Sequence, residues 1–232
     1  MYCLAALTTL AAAFVSTAEA VPQMAPRADT WGGAVSLGPT KSTIIKAVTT
    51  IIPGTAPPSQ NGFLTVWPGM SNGTGHLVQT TLEHWPDNSW CGAAKGEWCV
   101  RCSLFGSFGQ LDGPASPVKG SQKVKIEYTL LSDNDTWRQL ATDADTGKEL
   151  SRFEYKSGPY MRGYGTGTEC NDNCSPTTSE QRYINTEITL AGADPSFGST
   201  IGTSQGATYS GLTNTGNGKV WKIAEIRIPK MV

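Results

Sequence analysis

Four polar side chains stand where strand parity could turn them toward one surface. In residues 76–83 (HLVQTTLE), Leu77, Gln79, Thr81 and Glu83 share a face, opposite Val78, Thr80 and Leu82. With the second set in a core, Gln79 and Glu83 point outward. In residues 97–104 (EWCVRCSL), Arg101 shares its face with Glu97, Cys99 and Ser103, against Trp98, Val100, Cys102 and Leu104. In KVKIEYTLL, Glu127 lies with Lys123, Lys125 and Thr129, against Val124, Ile126, Tyr128 and Leu130. A Gln, an Arg and a Glu on one sheet face could hold an oxygen as it gains electron density, through charge-assisted hydrogen bonds. The same pattern also describes a solvated strand face, and alternation does not separate the two.

Glu169 has a different setting. It closes GYGTGTEC, a Gly-rich strand that backbone or ligand can approach closely. A carboxyl partly buried there would have a raised pKa, suited to a general acid; the alternative is a strand-end Glu in water. Trp67, Trp137, Tyr160 and Met161 are candidate walls that could stack on sugar rings or enclose an apolar polycyclic ligand, while Trp98 and Trp221 read as core. His76 and His84 form no H-E-x-x-H, and the chain holds no G-x-S-x-G elbow and no phosphate loop. Neither His lies at a finger-like spacing from the cysteines, so neither metal nor cofactor is expected.

The elements that must position these residues read as strands. About eleven short runs rich in β-branched and aromatic residues follow one another from residue 42 to 229, bounded by Gly, Pro, Asn or Asp. Asp145-Thr-Gly147 and Asn217-Gly218 have the chemistry of hairpin turns. After the first twenty residues no window sustains helical periodicity, and Asp194-Pro-Ser-Phe197 starts at most one helical turn. Strands with one apolar face stack in pairs, which predicts an all-β, two-sheet antiparallel β-sandwich or jelly roll over residues 42–232. The small, polar, Pro- and Gly-punctuated residues 21–41 predict a flexible mature N-terminus.

Residues 1–20 carry an early Ala-rich apolar run ending in Ala18-Glu19-Ala20, the pattern of a secretory signal peptide. No later stretch is apolar for the ~20 residues of a membrane helix. Removing that segment leaves equal numbers of acidic and basic residues and no basic stripe, which argues against nucleic acid. Five cysteines would remain. Cys170 and Cys174 flank a short polar loop, and parity separates Cys99 from Cys102. The expected bridges are Cys91–Cys99 and Cys170–Cys174, with Cys102 a buried free thiol. Sequons at Asn72 and Asn134 fall in turn-like segments and predict glycosylation in the secretory lumen; the one at Asn173 is crowded by a cysteine and Pro176.

The run VWPGM…GTGHLVQTTLE…WCGAAKGEWCVRCSLF, with DTWRQLATDADTGKELS, TGTEC and a closing KVWKIAEIRIPKM, resembles secreted fungal proteins with a concanavalin A-like sandwich. Two sets within that group give different expectations. Likeness to the fungal glutamic peptidases, with a catalytic Gln after a W-x-G segment and a catalytic Glu in an A-E-W context, makes Gln79 and Glu169 the counterparts. Here Thr168-Glu169-Cys170 replaces A-E-W. Likeness to the hetero-Diels–Alderases of tropolone–sesquiterpene pathways, the leading expectation, implies a pericyclase. Glu169 would assist dehydration of a polyketide to a quinone-methide-like diene, held by Gln79 and Arg101 against a sesquiterpene alkene. Trp67, Glu127, Trp137, Tyr160 and Met161 would line that site. The alternatives are a carbohydrate-active sandwich protein (a polysaccharide lyase, hydrolase or lectin) and a glutamic peptidase-like protein. A two-carboxylate hydrolase would draw on Glu127 and Glu169.

Overall fold

The computed structural model describes residues 29–231, so the predicted signal segment over 1–20 lies outside the described residues. The chain begins with β1 (Thr30–Trp31), β2 (Ala34–Leu37), β3 (Ile44–Ile52), β4 (Phe63–Ser71), β5 (Leu77–His84) and β6 (Trp98–Gly106). Next come β7 (Gly109–Asp112), β8 (Ser116–Val118), β9 (Val124–Leu130), β10 (Thr136–Asp143), β11 (Glu149–Lys156) and β12 (Gly163–Asn171). Then follow β13 (Gln181–Leu190), β14 (Gly202–Ser204), β15 (Thr208–Ser210), β16 (Thr213–Thr215) and β17 (Val220–Ile228). Among the described residues the helical turns are two short 3-10 segments, Ser89–Cys91 and Phe197–Thr200.

All pairings are antiparallel and build two sheets. One runs β14-β2-β12-β4-β5-β6-β7, with β1 added to β12 and β8 to β6; the other runs β11-β10-β9-β3-β13-β17-β15, with β16 on β17. We call them the trough sheet and the back sheet. Their apolar faces meet in one core. Val66, Val78, Leu82, Trp98, Val100 and Leu104 come from the trough sheet, and Ala47, Ile51, Ile126, Tyr128, Tyr183 and Ile223 from the back sheet. Polar contacts also cross this layer: among them Tyr128 donates its hydroxyl to the Pro68 carbonyl at 2.7 Å, and Gln139 Nε2 donates to the Ser103 carbonyl at 2.7 Å. A buried donor without a partner would cost about 1–3 kcal/mol, so these bonds help fix the sheets' relative register. The expected all-β sandwich is the observed architecture.

The two expected disulfides are present, and Cys102 is a free, buried thiol. Burial pushes that thiol up to about 11, against its hydrogen bonds with Thr80 and Ser151, so it stays protonated. In the turn from β16 into β17, Gly216, Asn217 and Gly218 have φ of 60°, 54° and 85°, left-handed values that Gly and Asn adopt most readily.

Three expectations are corrected here. Of the segment 21–41 predicted to be loose, 21–28 lie outside the described residues, while Thr30–Trp31 and Ala34–Leu37 form strands, because Val35 and Leu37 bury their side chains and β1 and β2 both pair with β12. Trp67, a candidate wall, lies inside β4, which continues through Pro68 to Ser71. Pro68 has no N–H to give, and the ladder to β5 is interrupted between Val66↔Leu82 and Gly69↔Gln79. Trp137 and Met161 are buried core residues, the former donating its indole N–H to the Gly158 carbonyl at 2.7 Å.

Candidate functional site

β5 is buried on both faces. Val78, Thr80 and Leu82 enter the core, yet Gln79, Thr81 and Glu83 on the outward face are also buried, Gln79 at 5 % and Glu83 at 2 % exposure. Polar residues pointing away from a core stay dry only when something else covers them. The cover is a ring of large side chains, Trp31, Phe63, Trp67 and Phe105 from neighbouring strands and Trp85 just past the end of β5, around a cavity of about 630 Å³. Trp31 and Phe105 are 56 % and 50 % exposed and stand on its rim.

Register decides what meets in this cavity. One row across the sheet reads Glu169–Thr65–Glu83–Cys99, and another reads Gly165–Gly69–Gln79–Ser103. Gln79 and Glu169 therefore line the same cavity from different rows. They are two strands and four residues apart, about 10 Å across and 13 Å along the sheet.

Trp67 occupies the ground between the rows, and a glycine places it there. Gly163, Gly165 and Gly167 alternate on the outward face of β12 and leave it bare backbone, while Tyr164, Thr166 and Thr168 fill the inner face. A Cβ added at Gly167 would come within 2.3 Å of the Trp67 ring, so the indole lies flat where a side chain would be. From there its N–H donates to Glu169 Oε1 at 2.8 Å. Burial raises the Glu169 pKa, the Trp67 hydrogen bond opposes the rise, and Asp29 adds to it. No basic side chain forms a salt bridge to Glu169 among the described residues. It can hold a proton above the usual carboxylate range and release it to a ligand. The Gln79 side-chain carbonyl is buried without a partner, and a ligand O–H or N–H in the cavity would satisfy it.

Glu83 and Arg101 form a different unit. The guanidinium grips the carboxylate through two bonds of 2.8 Å, and Asp112 takes a third at 2.7 Å. Glu83 also accepts from Trp85 Nε1 at 2.8 Å and the Thr81 hydroxyl at 2.7 Å. Burial disfavours the Arg101 charge, but Glu83 and Asp112 outweigh it and its pKa rises; burial also raises Asp112. With its carboxylate oxygens occupied, Glu83 holds the wall and is no free base. Arg101 has three donor groups committed, so it is not the free donor expected to hold a substrate oxygen.

Of the remaining expected residues, Glu127 faces solvent on the back sheet, paired with Lys46 and Lys125 at 3.6 Å each. Parity gave its side correctly, but it belongs to the other sheet. Trp137 and Met161 pack in the core, and Tyr160, 60 % exposed, does not line the cavity. Sequence reasoning missed Trp31, Phe63, Trp85 and Phe105 as walls. Trp31 was hidden in the segment read as loose; its pairing with Glu169 depends on a long-range register that local pattern does not carry. Asn72 and Asn134 lie in the β4–β5 and β9–β10 turns. Among the described residues no cluster of His, Cys, Asp or Glu is arranged to hold a metal, and no helix is long and apolar enough to cross a membrane.

The fold has solved counterparts. No protein-family model matches the chain, and no curated protein matches it. It is similar to scytalido-glutamic peptidase bound to a transition-state analogue inhibitor, at 14 % identity and TM-score 0.56, over 88 % of this chain and 100 % of that one. A second structure of that peptidase, with a peptide-based transition-state analogue, matches at 14 % identity and TM-score 0.52, over 85 % and 98 %. SCP-B, of the eqolisin family of peptidases, in complex with the tripeptide Ala-Ile-His, matches at 13 % identity and TM-score 0.51, over 88 % and 100 %. These likenesses establish a shared β-sandwich fold.

Proposed function

We propose that the cavity is an acid-catalytic site for small, largely apolar molecules, with Glu169 as proton donor and Gln79 as the acceptor that orients the substrate. One observation carries this: a carboxyl with no cationic partner among the described residues, its pKa raised, sits among aromatic walls in a cavity whose other glutamate is locked to Arg101. A volume of about 630 Å³ is of the size that encloses a small organic ligand. The specific reaction proposed is that of a hetero-Diels–Alderase. Glu169 gives its proton to a hydroxymethyl oxygen, water leaves, and the ionised carboxylate recovers a proton from the neighbouring ring hydroxyl. The product is a quinone-methide-like diene with the acid regenerated. Cycloaddition with an alkene then needs placement rather than proton transfer, and two partners held together gain from entropy already lost on binding.

A second reading, a glutamic peptidase-like hydrolase, is favoured by the trough's length, because a further cavity adjoins this one across Trp67 and Leu77. It requires Gln79 and Glu169 to act on one water, and their rows are offset.

The test incubates the full glycosylated protein with a hydroxymethyl tropolone precursor and humulene alcohol, following adducts by mass spectrometry, with casein digestion at acidic pH in parallel. Adduct of one stereochemistry that disappears in Glu169→Gln supports the cycloaddition. Protein-dependent proteolysis without adduct overturns it in favour of the hydrolase. Neither activity would discard both.

A further inference from the structure

Two residues lining the Glu169 cavity each bury a polar atom that has no hydrogen-bond partner among the described residues, and the two atoms are opposite in kind. Gln79 Oε1 can only accept, and Asn171 Nδ2 can only donate. Most buried polar groups in folded proteins are paired, so an orphan on a cavity wall marks where a bound atom would complete it. Asn171 follows Glu169 on the same face of β12, with Cys170 turned into the core between them. Its backbone is held on several sides. It closes the ladder to β4 opposite Phe63, Cys170 beside it is bridged to Cys174, and Gly62 packs too close to the Asn171 carbonyl to admit a Cβ. Gln79 stands at the other end. Asn171 lies six residues along β12 from Gly165 in the Gln79 row, so the two backbone positions are about 20 Å apart along the sheet and about 10 Å across it. Between the ends the walls are aromatic: the Phe63 and Trp85 rings stack at 4.3 Å, and Trp67 lies flat over Gly167.

We propose that the cavity selects an elongated ligand with an apolar middle and a polar group at each end, a hydrogen-bond donor for Gln79 and an acceptor for Asn171. Asn171 is then a positioning residue, because its amide holds the ligand's acceptor at the end of the cavity where Glu169 stands. The inference rests on the reading of this cavity as the binding site and adds a direction to it. A donor at one end and an acceptor at the other fix which way round the ligand enters, whereas aromatic walls alone would take it either way. Even with both side chains reaching inward, the span exceeds a single ring and suits two linked rings.

The test dissects the ligand and the protein together. Isothermal titration calorimetry on the full protein compares 4-acetyl-4′-hydroxybiphenyl with its methyl ether, which lacks the donor, and with 4-ethyl-4′-hydroxybiphenyl, which lacks the acceptor. Wild type should bind each analogue about tenfold more weakly than the parent, the worth of one buried hydrogen bond. In Asn171→Leu the acetyl and ethyl probes should bind alike while the hydroxyl is still preferred over the ether, and Gln79→Met should do the reverse. Asn171→Gln, which keeps a donor, should restore the preference for the acetyl probe. Circular dichroism verifies folding. Equal affinity of wild type for the three probes, no binding of any of them, or a uniform loss for all three in folded Asn171→Leu overturns the inference. Adduct formation is read separately on wild type. Probe selectivity as expected with no adduct keeps the two-ended site and discards the cycloaddition, while adduct without selectivity discards the two-ended site alone.

Discussion

The outward faces of the two sheets carry the same residue types at the same alternation and have opposite fates. On the back sheet, Lys46, Lys125 and Glu127, Lys222 and Glu187, and Arg182, Arg227 and Glu225 form ion pairs in water, most with side chains 40–50 % exposed on at least one partner. On the trough sheet the equivalent pair, Arg101 and Glu83, is 20 % and 3 % exposed, and polar neighbours such as Gln79 and Thr81 are dry. Parity sets which side a residue faces. Cover sets whether that side is surface or site, and here the cover comes from aromatic side chains on neighbouring strands and from a glycine strand that lets Trp67 lie flat. Charges in water are screened, whereas the same charges held out of water in the trough interact more strongly.

The largest expected effect falls on the free acid. Glu169→Gln keeps the shape and the bond from Trp67 but removes the proton; turnover to adduct should drop on the order of 10²–10⁴-fold. A drop under fivefold would mean that the trough does not use its acid and is closer in kind to the back sheet. Next is the locked pair. Glu83→Leu leaves Arg101 half-buried with Asp112 alone and should cost about 3 kcal/mol, read as a lower urea midpoint at unchanged slope.

How much of this was legible follows from the same contrast. The sandwich, the core faces of β5, β6 and β9, and both disulfides came from alternation and cysteine parity, which are local properties. Glu169 stood out because Gly163, Gly165 and Gly167 alternate before it, and an alternating glycine row is a local sign of close approach. Glu127 was grouped with Arg101 because parity carries no information about which sheet a strand joins. Trp137 was read as a wall because an indole with its N–H bonded to a loop carbonyl looks the same in sequence as one facing a ligand. Trp31 escaped because two strand residues between glycines and polar residues give no periodic signal, and long-range pairing with β12 holds them.

The acid's environment gives a smaller, signed effect. The Trp67 N–H favours the ionised form of Glu169, so Trp67→Phe should raise its pKa further. The descending limb of the pH–rate profile should then move to higher pH, and a move to lower pH would contradict the assignment. Stability carries the same sign. Because the folded-state pKa is raised, the folded state binds the proton more tightly, and Glu169 reduces stability as pH climbs from the unfolded value of about 4.3 through the folded one. Glu169→Gln should therefore match wild type in melting temperature at low pH and exceed it at neutral pH. The opposite ordering would mean that the carboxylate is stabilised in the fold, as Asp194 is by Ser196 and the Lys41 N–H.

The smallest effect belongs to the back sheet. Glu127→Ala removes a carboxylate that two lysines share at 3.6 Å in contact with solvent. Exposed pairs of this kind are worth under about 1 kcal/mol and fade with salt, so the variant should lose less than that in 0.1 M salt and nearly nothing in 1 M. Its adduct formation should equal wild type. A loss of activity at Glu127 would be the more damaging result, because it would give function to a face whose charges are open to water. The physical distinction between the two sheets would then have to lie elsewhere than in what covers them.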